Sequence, residues 1–413
     1  MPGDGTRPGI TTPERPTARL LDLTRSLRRA GRVATGVDRV ELAYGDALLS
    51  DQSVPVFGLA RTAFGYLLLD ASGVREFIER LTGREDWGAP DLLSRLPRGR
   101  SAVLRRAEAD LRRLAIARAV PGRLARMLSR NLPQDYAYLN VGHSNITDRV
   151  FGAVHASGGR IAVLVHDVIP LEHPDLQRPG TVSPFRDKMQ RVAQDADLVI
   201  YNSADTRKRA ETFMRGWGRM PPAVVVHLGV ERPIPVPADL PAHLPPEQPY
   251  FVTVGTIEPR KNHAFLLDLW EQMGPSAPRL VICGNRGWNN AAVFARLDAL
   301  RADDRVIEAQ GLSDGAVAAL VQGAAGTLFP SLSEGFGLPP VESAALGTRV
   351  LCNDLEVLKE VLGVKAHFLS VAEPRLWINT IENWASNPPE THQPAVYDDL
   401  NWDSHFKTVL RLT

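Results

Sequence analysis

The stretch SEGFGLPPVES, residues 333–343, holds two carboxylates, Glu334 and Glu342, on either side of a Gly-Phe-Gly turn and a proline pair. Proline fixes φ and lacks an N–H, so Pro339 and Pro340 suit the first turn of a helix and not its interior. The pattern predicts a turn from Glu334 to Leu338 feeding a helix that begins near Pro339, with Glu342 about one turn in. Both carboxylates can then face whatever occupies the helix N-terminus. A second stretch, VGTIEPRKNH (254–263), sets Arg260 and Lys261 between a strand-like run and a helix-like one. A diphosphate there would meet a planar bidentate donor, a point cation and the positive end of a helix. A carboxylate repels phosphate, so Glu334 and Glu342 read as acceptors of hydroxyl bonds. An anionic diphosphate joined to polyhydroxylated rings is the chemistry of a nucleotide sugar. The plainer readings are a surface Arg-Lys pair and, for Glu342, a first-turn acid complementing the helix dipole.

These groups need a scaffold, and the chain alternates short apolar runs with helical patterns, which predicts parallel α/β units. Strand-like runs fall at 18–24, 54–60, 65–70, 136–142, 161–167, 198–203 and 223–229, and VDRVELAYGDALL (37–49) reads as a helix. The proline-rich stretch 231–249 cannot be a central strand or a helix interior and reads as a linker. Beyond it the alternation restarts, with strands at 250–256, 279–285, 305–311, 326–331 and 349–354 and helices at 263–273, capped by Asn262, and 291–302. Two such halves leave a cleft, and ligands of open α/β sheets sit at the carboxyl ends of strands. The expected organisation is a disordered tail at 1–17, a first Rossmann-like domain at 18–232, a linker at 233–249, a second Rossmann-like domain at 250–395 and a C-terminal helix at 396–413 packing back on the first domain.

Composition narrows the partners. The chain has 413 residues, 44% hydrophobic and 23% charged, with a net charge of +1. That balance is of a soluble globular protein and argues against a nucleic-acid binder. Cys283 and Cys352 lie in or just after apolar runs and read as buried thiols, and no zinc-ligand spacing is present. The first residues lack the apolar core of a signal peptide, and no run is long enough to span a membrane, so a cytoplasmic location is expected. Asp195 to Asp197 spell Asp-Ala-Asp but precede a strand in a helix-to-strand turn, which is a structural place. With Arg260 and Lys261 available for neutralisation, no metal and no other cofactor is expected. No phosphate-binding P-loop, nucleophile elbow or dinucleotide fingerprint occurs, which leaves kinase, hydrolase and dehydrogenase readings without an anchor.

Residues 84–132 read as a helical insertion in the first domain, strongly basic from Arg95 to Arg130, with Glu108 and Asp110 as the local offset. Such runs are usually solvated faces. The sharper reading is a basic face for the anionic inner membrane or for an acidic lipid-linked acceptor.

The motifs VGTIEPRKNH, CGNRGW, PSLSEGFGLPPVESAALGTRVLCND and NWDSHF cover most of residues 250–406 and resemble, in order, those of the family 4 retaining glycosyltransferases of GT-B architecture. TGVDRVELA (35–43), VHDVIPLEHP (165–174) and VIYNSADTRK (199–208) are similar to that family's first half, whereas 84–132 matches none of it. The resemblance implies a retaining transfer from a nucleotide sugar to a glycan or lipid-linked acceptor. Arg260 and Lys261 would hold the diphosphate, Glu342 the ribose, and Glu334 with the Gly335–Phe336–Gly337–Leu338 backbone the donor sugar and phosphate. Gly36 would let the first-domain loop close on the diphosphate. His166, with Asp167 beside it, would lie next to the transferred sugar, although a buried structural histidine is the alternative for His166. Asp38 stands where relatives commonly have a second glycine. TIEPRKNH, GNRGW and HDVIPLEHP look most like bacterial O-antigen and capsule mannosyltransferases using GDP-mannose. UDP-, ADP- or dTDP-sugars, a non-catalytic nucleotide-sugar-binding module, and a phosphorylase or epimerase of the same architecture are the competing expectations.

Overall fold

The computed structural model describes residues 15–96, 99–246, 249–300, 305–388, 394–395 and 400–413. Most of the expected N-terminal tail, residues 1–14, lies outside the described residues, as do the first residues of the expected C-terminal segment, 396–399. Residues 15–17 of that tail are tied down: Thr17 N donates to Asp135 O.

The chain builds two sheets. The first contains β1 (Arg19–Asp22), β2 (Val56–Thr62), β3 (Gly65–Leu69), β4 (Ala117–Ala119), β5 (Ala137–Asn140), β6 (Arg160–Val165), β7 (Leu198–Tyr201) and β8 (Ala223–Val225), in the order β4-β3-β2-β1-β5-β6-β7-β8. It is parallel from β2 to β8, while β3 and β4 run antiparallel to their neighbours. The second contains β9 (Tyr250–Val254), β10 (Arg279–Cys283), β11 (Val306–Ala309), β12 (Gly326–Phe329), β13 (Val350–Asn353) and β14 (His367–Leu369), all parallel, in the order β11-β10-β9-β12-β13-β14. Central strands such as RIAVLV and RLVIC are apolar almost throughout because helices cover both faces of a parallel sheet. Each sheet changes direction once, between β1 and β5 in the first and between β9 and β12 in the second. Those two switch points are where an open α/β sheet leaves a crevice for ligands.

Residues 84–132 are not a purely helical insertion. Helices Leu92–Arg95, Ala102–Leu114 and Leu124–Asn131 flank β4, which extends the first sheet at its edge. The basic run is not simply a solvated face either. Arg112 is buried and bonds Asp91 in a bidentate pair at 2.5 and 2.6 Å, Arg100 pairs with Glu108, and Arg113 pairs with Asp110. Asp91, just before the run, supplies charge that the local count leaves out.

The proline-rich stretch is also less of a free linker than its composition suggests. Val236 N donates to Gly315 O, the Ser313 hydroxyl donates to Asp239, and Leu244 is buried in the second domain's core. The crossing between domains is confined to Val230–Val236. The C-terminal helix Trp402–Leu412 lies on the first domain, where Tyr44 packs edge-on against Phe406 and His405 Nε2 lies 2.9 Å from the Tyr44 hydroxyl. Buried Arg19 of β1 donates to Leu410 O and Thr413 O at its far end. One apolar cluster runs from Leu21 and Leu27 through Phe336 and Val341 to Val409, joining both domains and this helix.

Candidate active site

The second sheet's switch point is framed by the loops after β9 and β12, and these carry Arg260, Lys261 and Glu334. Arg260 and Lys261 occupy a 3-10 turn, Pro259–Lys261, just before the helix His263–Met273. Asn262 stands at that helix's N-cap position in the left-handed region, with φ 56°, but its side chain does not cap the helix. It reaches instead to Pro330 O, tying the β9 loop to the β12 loop.

Glu334 joins the two cations directly: its Oε2 lies 2.7 Å from Arg260 Nη1 and its Oε1 2.6 Å from Lys261 Nζ. Arg260 also meets the buried Glu258 at 2.6 Å. Burial alone would push the Glu334 carboxyl up, but Lys261 and Arg260 outweigh it and hold it near 2. The expectation that Glu334 is free for hydroxyl groups therefore needs correction. It is first the counter-charge that orders Arg260 and Lys261, and any hydroxyl must share it.

The helix Leu338–Ala345 starts as the proline pair predicts. Gly337 precedes it with φ 93°, a conformation that favours glycine. Pro339 and Pro340 have no N–H, so Leu338 is the backbone donor of the first turn while the helix dipole is retained. Phe336 is buried in the core, so only its backbone is available to a ligand. The first domain brings a second helix N-terminus to the same place. Gly36 opens the helix Gly36–Ser50, and a Cβ added there would sit 3.2 Å from Leu338 Cδ1. Two positive helix ends from opposite domains thus meet at Gly36 and Leu338. Asp38 forms a capping box with Thr35 and pairs with Arg25 at 2.7 Å and Arg29 at 2.5 Å, so its carboxylate is turned into the protein.

Glu342 meets Arg39 of the Gly36–Ser50 helix at 2.6 Å, an ion pair across the domains. Burial raises the Glu342 carboxyl's pKa even against Arg39. The first domain's catalytic candidates lie on the β6 loop. His166 Nε2 sits 2.7 Å from Val141 O. An N–H must face a carbonyl, so the ring's proton is on Nε2 and Nδ1 carries the lone pair. Burial lowers its pKa to about 4, which keeps it neutral at pH 7. Asp167 Oδ1 accepts from Ile169 N at 3.1 Å, and burial raises its pKa against the pull of Arg260. Gly335 seats directly on this loop: an added Cβ would lie 2.4 Å from His166 O and 2.9 Å from Asp167 Cβ.

The structure thus gathers Gly36, His166, Asp167, Arg260, Lys261, Glu334, Gly335, Phe336, Gly337, Leu338 and Glu342 around one interdomain cleft. Among the described residues no cluster of metal-ligating side chains occurs, and Asp197 bonds Ile161 N in its turn.

Sequence reasoning missed three residues that hold the cleft. Arg209 donates to Glu334 O at 2.9 Å and Ser333 Oγ at 3.0 Å while pairing with Glu172 and Asp205. Glu360 of the second domain accepts from Ala204 N and Asp205 N, at 2.7 and 3.0 Å, at the start of the helix Ala204–Arg215, and also meets His227. Arg39 is the third. Each looks in sequence like a solvated helix charge, and only the tertiary partner distinguishes it. Beside Glu334 a 270 Å³ cavity, lined by Glu172, His173, Arg209, Ser333 and Asp354, spans both domains.

Residues 240–397 match the family model described as glycosyl transferases group 1. That match takes in nearly all of the second domain. Its switch-point loops carry Arg260, Lys261 and Glu334, so the cations and carboxylates described above fall within the matched residues. The serotype-specific mannosyltransferase WbdA of Escherichia coli is 28% identical over 266 residues, which are 60% of this chain and 32% of WbdA. The O-antigen chain mannosyltransferase RfbU of Salmonella typhimurium is 30% identical over 137 residues, 32% of this chain and 38% of RfbU. The chain spans about a third of the length of the first of these relatives. Among solved structures, Anabaena HepE in complex with UDP-glucose superposes with a TM-score of 0.60 at 14% identity, covering 95% of this chain and 94% of that one. Sucrose-phosphate synthase from Thermosynechococcus elongatus gives 0.57 at 15% identity, covering 96% and 93%. The two domains together therefore form a GT-B fold.

Proposed function

We propose that this chain is a retaining glycosyltransferase that moves a sugar, mannose from GDP-mannose in the favoured case, to a glycan or lipid-linked acceptor in cell-surface polysaccharide synthesis. The observation that carries the reading is the convergence of two helix N-termini, at Gly36 and Leu338, on Arg260 and Lys261. Such a set of groups suits a diphosphate. The mannosyltransferase names of WbdA and RfbU support the choice of sugar.

In the proposed reaction the bond from the anomeric carbon to the phosphate oxygen breaks, and its electron pair leaves with the diphosphate. Arg260, Lys261 and the two helix dipoles stabilise the growing charge, the largest contribution such a site can make. The acceptor oxygen bonds the anomeric carbon on the face the phosphate leaves, and its proton passes to the departing phosphate oxygen. His166, neutral and with Nδ1 unprotonated, accepts a hydrogen bond that orients the transferred sugar or the acceptor. Glu342 takes the ribose hydroxyls by exchange with Arg39. This scheme uses no metal or other cofactor; Arg260, Lys261 and the two helix ends face the diphosphate instead. The reaction would take place at the cytoplasmic side, with the exposed Leu92, Leu93 and Leu96 beside Arg95 resting on the inner membrane.

The test is a panel of GDP-, UDP-, ADP- and dTDP-sugars read by thermal shift and by sugar release. A ligand at about a hundred times its dissociation constant adds about 2.7 kcal/mol of stability, so the right nucleotide stands out. Binding without sugar release, with or without glycan acceptors, would leave a nucleotide-sugar-binding module instead.

A further inference from the structure

The donor reading uses the second sheet's crevice and gives no role to the cations at the first sheet's crevice, between β1 and β5. That crevice is lined by cations. Arg25 and Arg28 lie one turn apart on the helix Thr24–Arg29 that follows β1. Arg25 packs across the loop after β5, where a Cβ added at Gly142 would lie 2.8 Å from Arg25 Cβ. The next residue, His143, sets its ring at a tilt to those of His166 and Phe185, with centroids 5.3 and 6.3 Å away. Phe185 stands one turn before Lys188 on the helix Val182–Asp195, so Lys188 faces the same crevice. The loops after β1, β5 and β6 and this helix therefore meet beside His166, on the first-domain side of the donor groups.

The charges there do not balance. Arg25 shares Asp38 with Arg29. Arg28 is exposed and Lys188 half-buried, and among the described residues neither has an ion-pair partner. Of the buried carboxyls beneath, burial pushes Glu41 up to about 8 and raises Asp22 above its usual range. Lys188 itself is lowered by burial and by the charges of Arg28 and Arg25. Of these four cations, Arg28 and Lys188 stand without a paired carboxylate among the described residues. Like charges gathered without a counter-ion disfavour the folded state unless an anion joins them. Two uncompensated cations match the double charge of a phosphate group better than the single charge of a carboxylate.

We propose that Arg25, Arg28 and Lys188 form an anion subsite that takes a phosphate group carried by the acceptor. This rests on the transferase reading for the word acceptor, but not for the binding itself. The subsite lies next to His166, so a phosphate held there sets which hydroxyl of the acceptor reaches the donor sugar. Lys188 and Arg28 are specificity residues in this scheme, while Arg25 also positions the Gly36 loop through Asp38.

The experiment is calorimetric titration of the full chain with a phosphorylated mannose and with mannose itself, after the second-domain site has been saturated with nucleoside diphosphate. The phosphorylated sugar is expected to bind about tenfold or more tightly, the scale of a charge-assisted bond. Lys188→Ala and Arg28→Ala should each remove most of that preference, and Lys188→Arg should restore it. Nucleoside diphosphate affinity should be unchanged in all three. Equal binding of the two sugars, or a preference that survives both alanine variants, overturns the subsite. So does a parallel loss of nucleoside diphosphate affinity, which would assign the cations to the donor. Phosphate-dependent binding through Lys188 in a chain that transfers no sugar would sink the transferase reading and leave the subsite standing. Transfer to neutral and phosphorylated acceptors at equal rates, unaffected by Lys188→Ala, would do the reverse.

Discussion

At the scale of single residues the carboxylates are more occupied than their sequence context implies. Glu334 reads as a group waiting for hydroxyls because local sequence shows a carboxylate in a glycine turn. It does not show that Arg260 and Lys261, more than seventy positions earlier, end against it. Removing one cation should leave a buried, half-compensated carboxylate. Lys261→Ala is expected to weaken nucleoside diphosphate binding by about tenfold or more, the loss of one charge-assisted bond, while circular dichroism shows the fold intact. Unchanged affinity in calorimetry would remove Lys261 from the phosphate site. Glu342→Ala should weaken free nucleoside diphosphate as well as the nucleotide sugar, because a ribose contact is common to both. If only the sugar donor suffers, Glu342 belongs to the transferred sugar instead.

Among elements, the alternation of apolar runs makes nearly every long parallel strand visible in advance, since both faces of such a strand are buried and the run is continuous. The helix opening at Leu338 is equally legible, because two prolines and a glycine leave little else. The edge strand β4 is not legible: three residues, ALA-ARG-ALA in type, carry no periodicity, and only pairing with β3 makes them a strand. The same limit hides Arg39, Arg209 and Glu360, whose helices look solvated until the opposite domain is placed. One element contact is strict enough to test. Gly335 lies so close to His166 O that a methyl group has nowhere to go without parting the two loops. Gly335→Ala should lower sugar transfer by about a hundredfold, the scale expected when reacting groups are misplaced by an ångström, with each domain still folded. Near-normal turnover would mean that the loops separate during the reaction and that their contact is incidental.

For the whole molecule, the buried histidines make stability depend on pH. Burial lowers His166, His263 and His405 to about 4 and His143 to about 3. The unfolded chain takes up those protons near 6.5 and the folded chain does not, so their contribution is complete above about pH 6.5 and is lost as the pH falls toward 4. His405 fastens the C-terminal helix to Tyr44 and His227 O. Relative to His405→Gln, the wild-type chain should lose up to about 1.4 kcal/mol per pH unit across that window, measured by urea unfolding at a series of pH values. Parallel pH profiles for the two chains would show that His405 titrates normally. The docking of that helix also determines how the halves can move. The chain passes from the first domain to the second between Val230 and Val236, and the start of that passage is bonded through Val230 N to Leu400 O, just before the C-terminal helix. A bonded crossing of this kind is held at its start, unlike a free linker, which would act as a swivel. That bond and the apolar cluster shared by both domains and the C-terminal helix hold the halves in the one register in which Gly36 meets Leu338 and Gly335 meets His166.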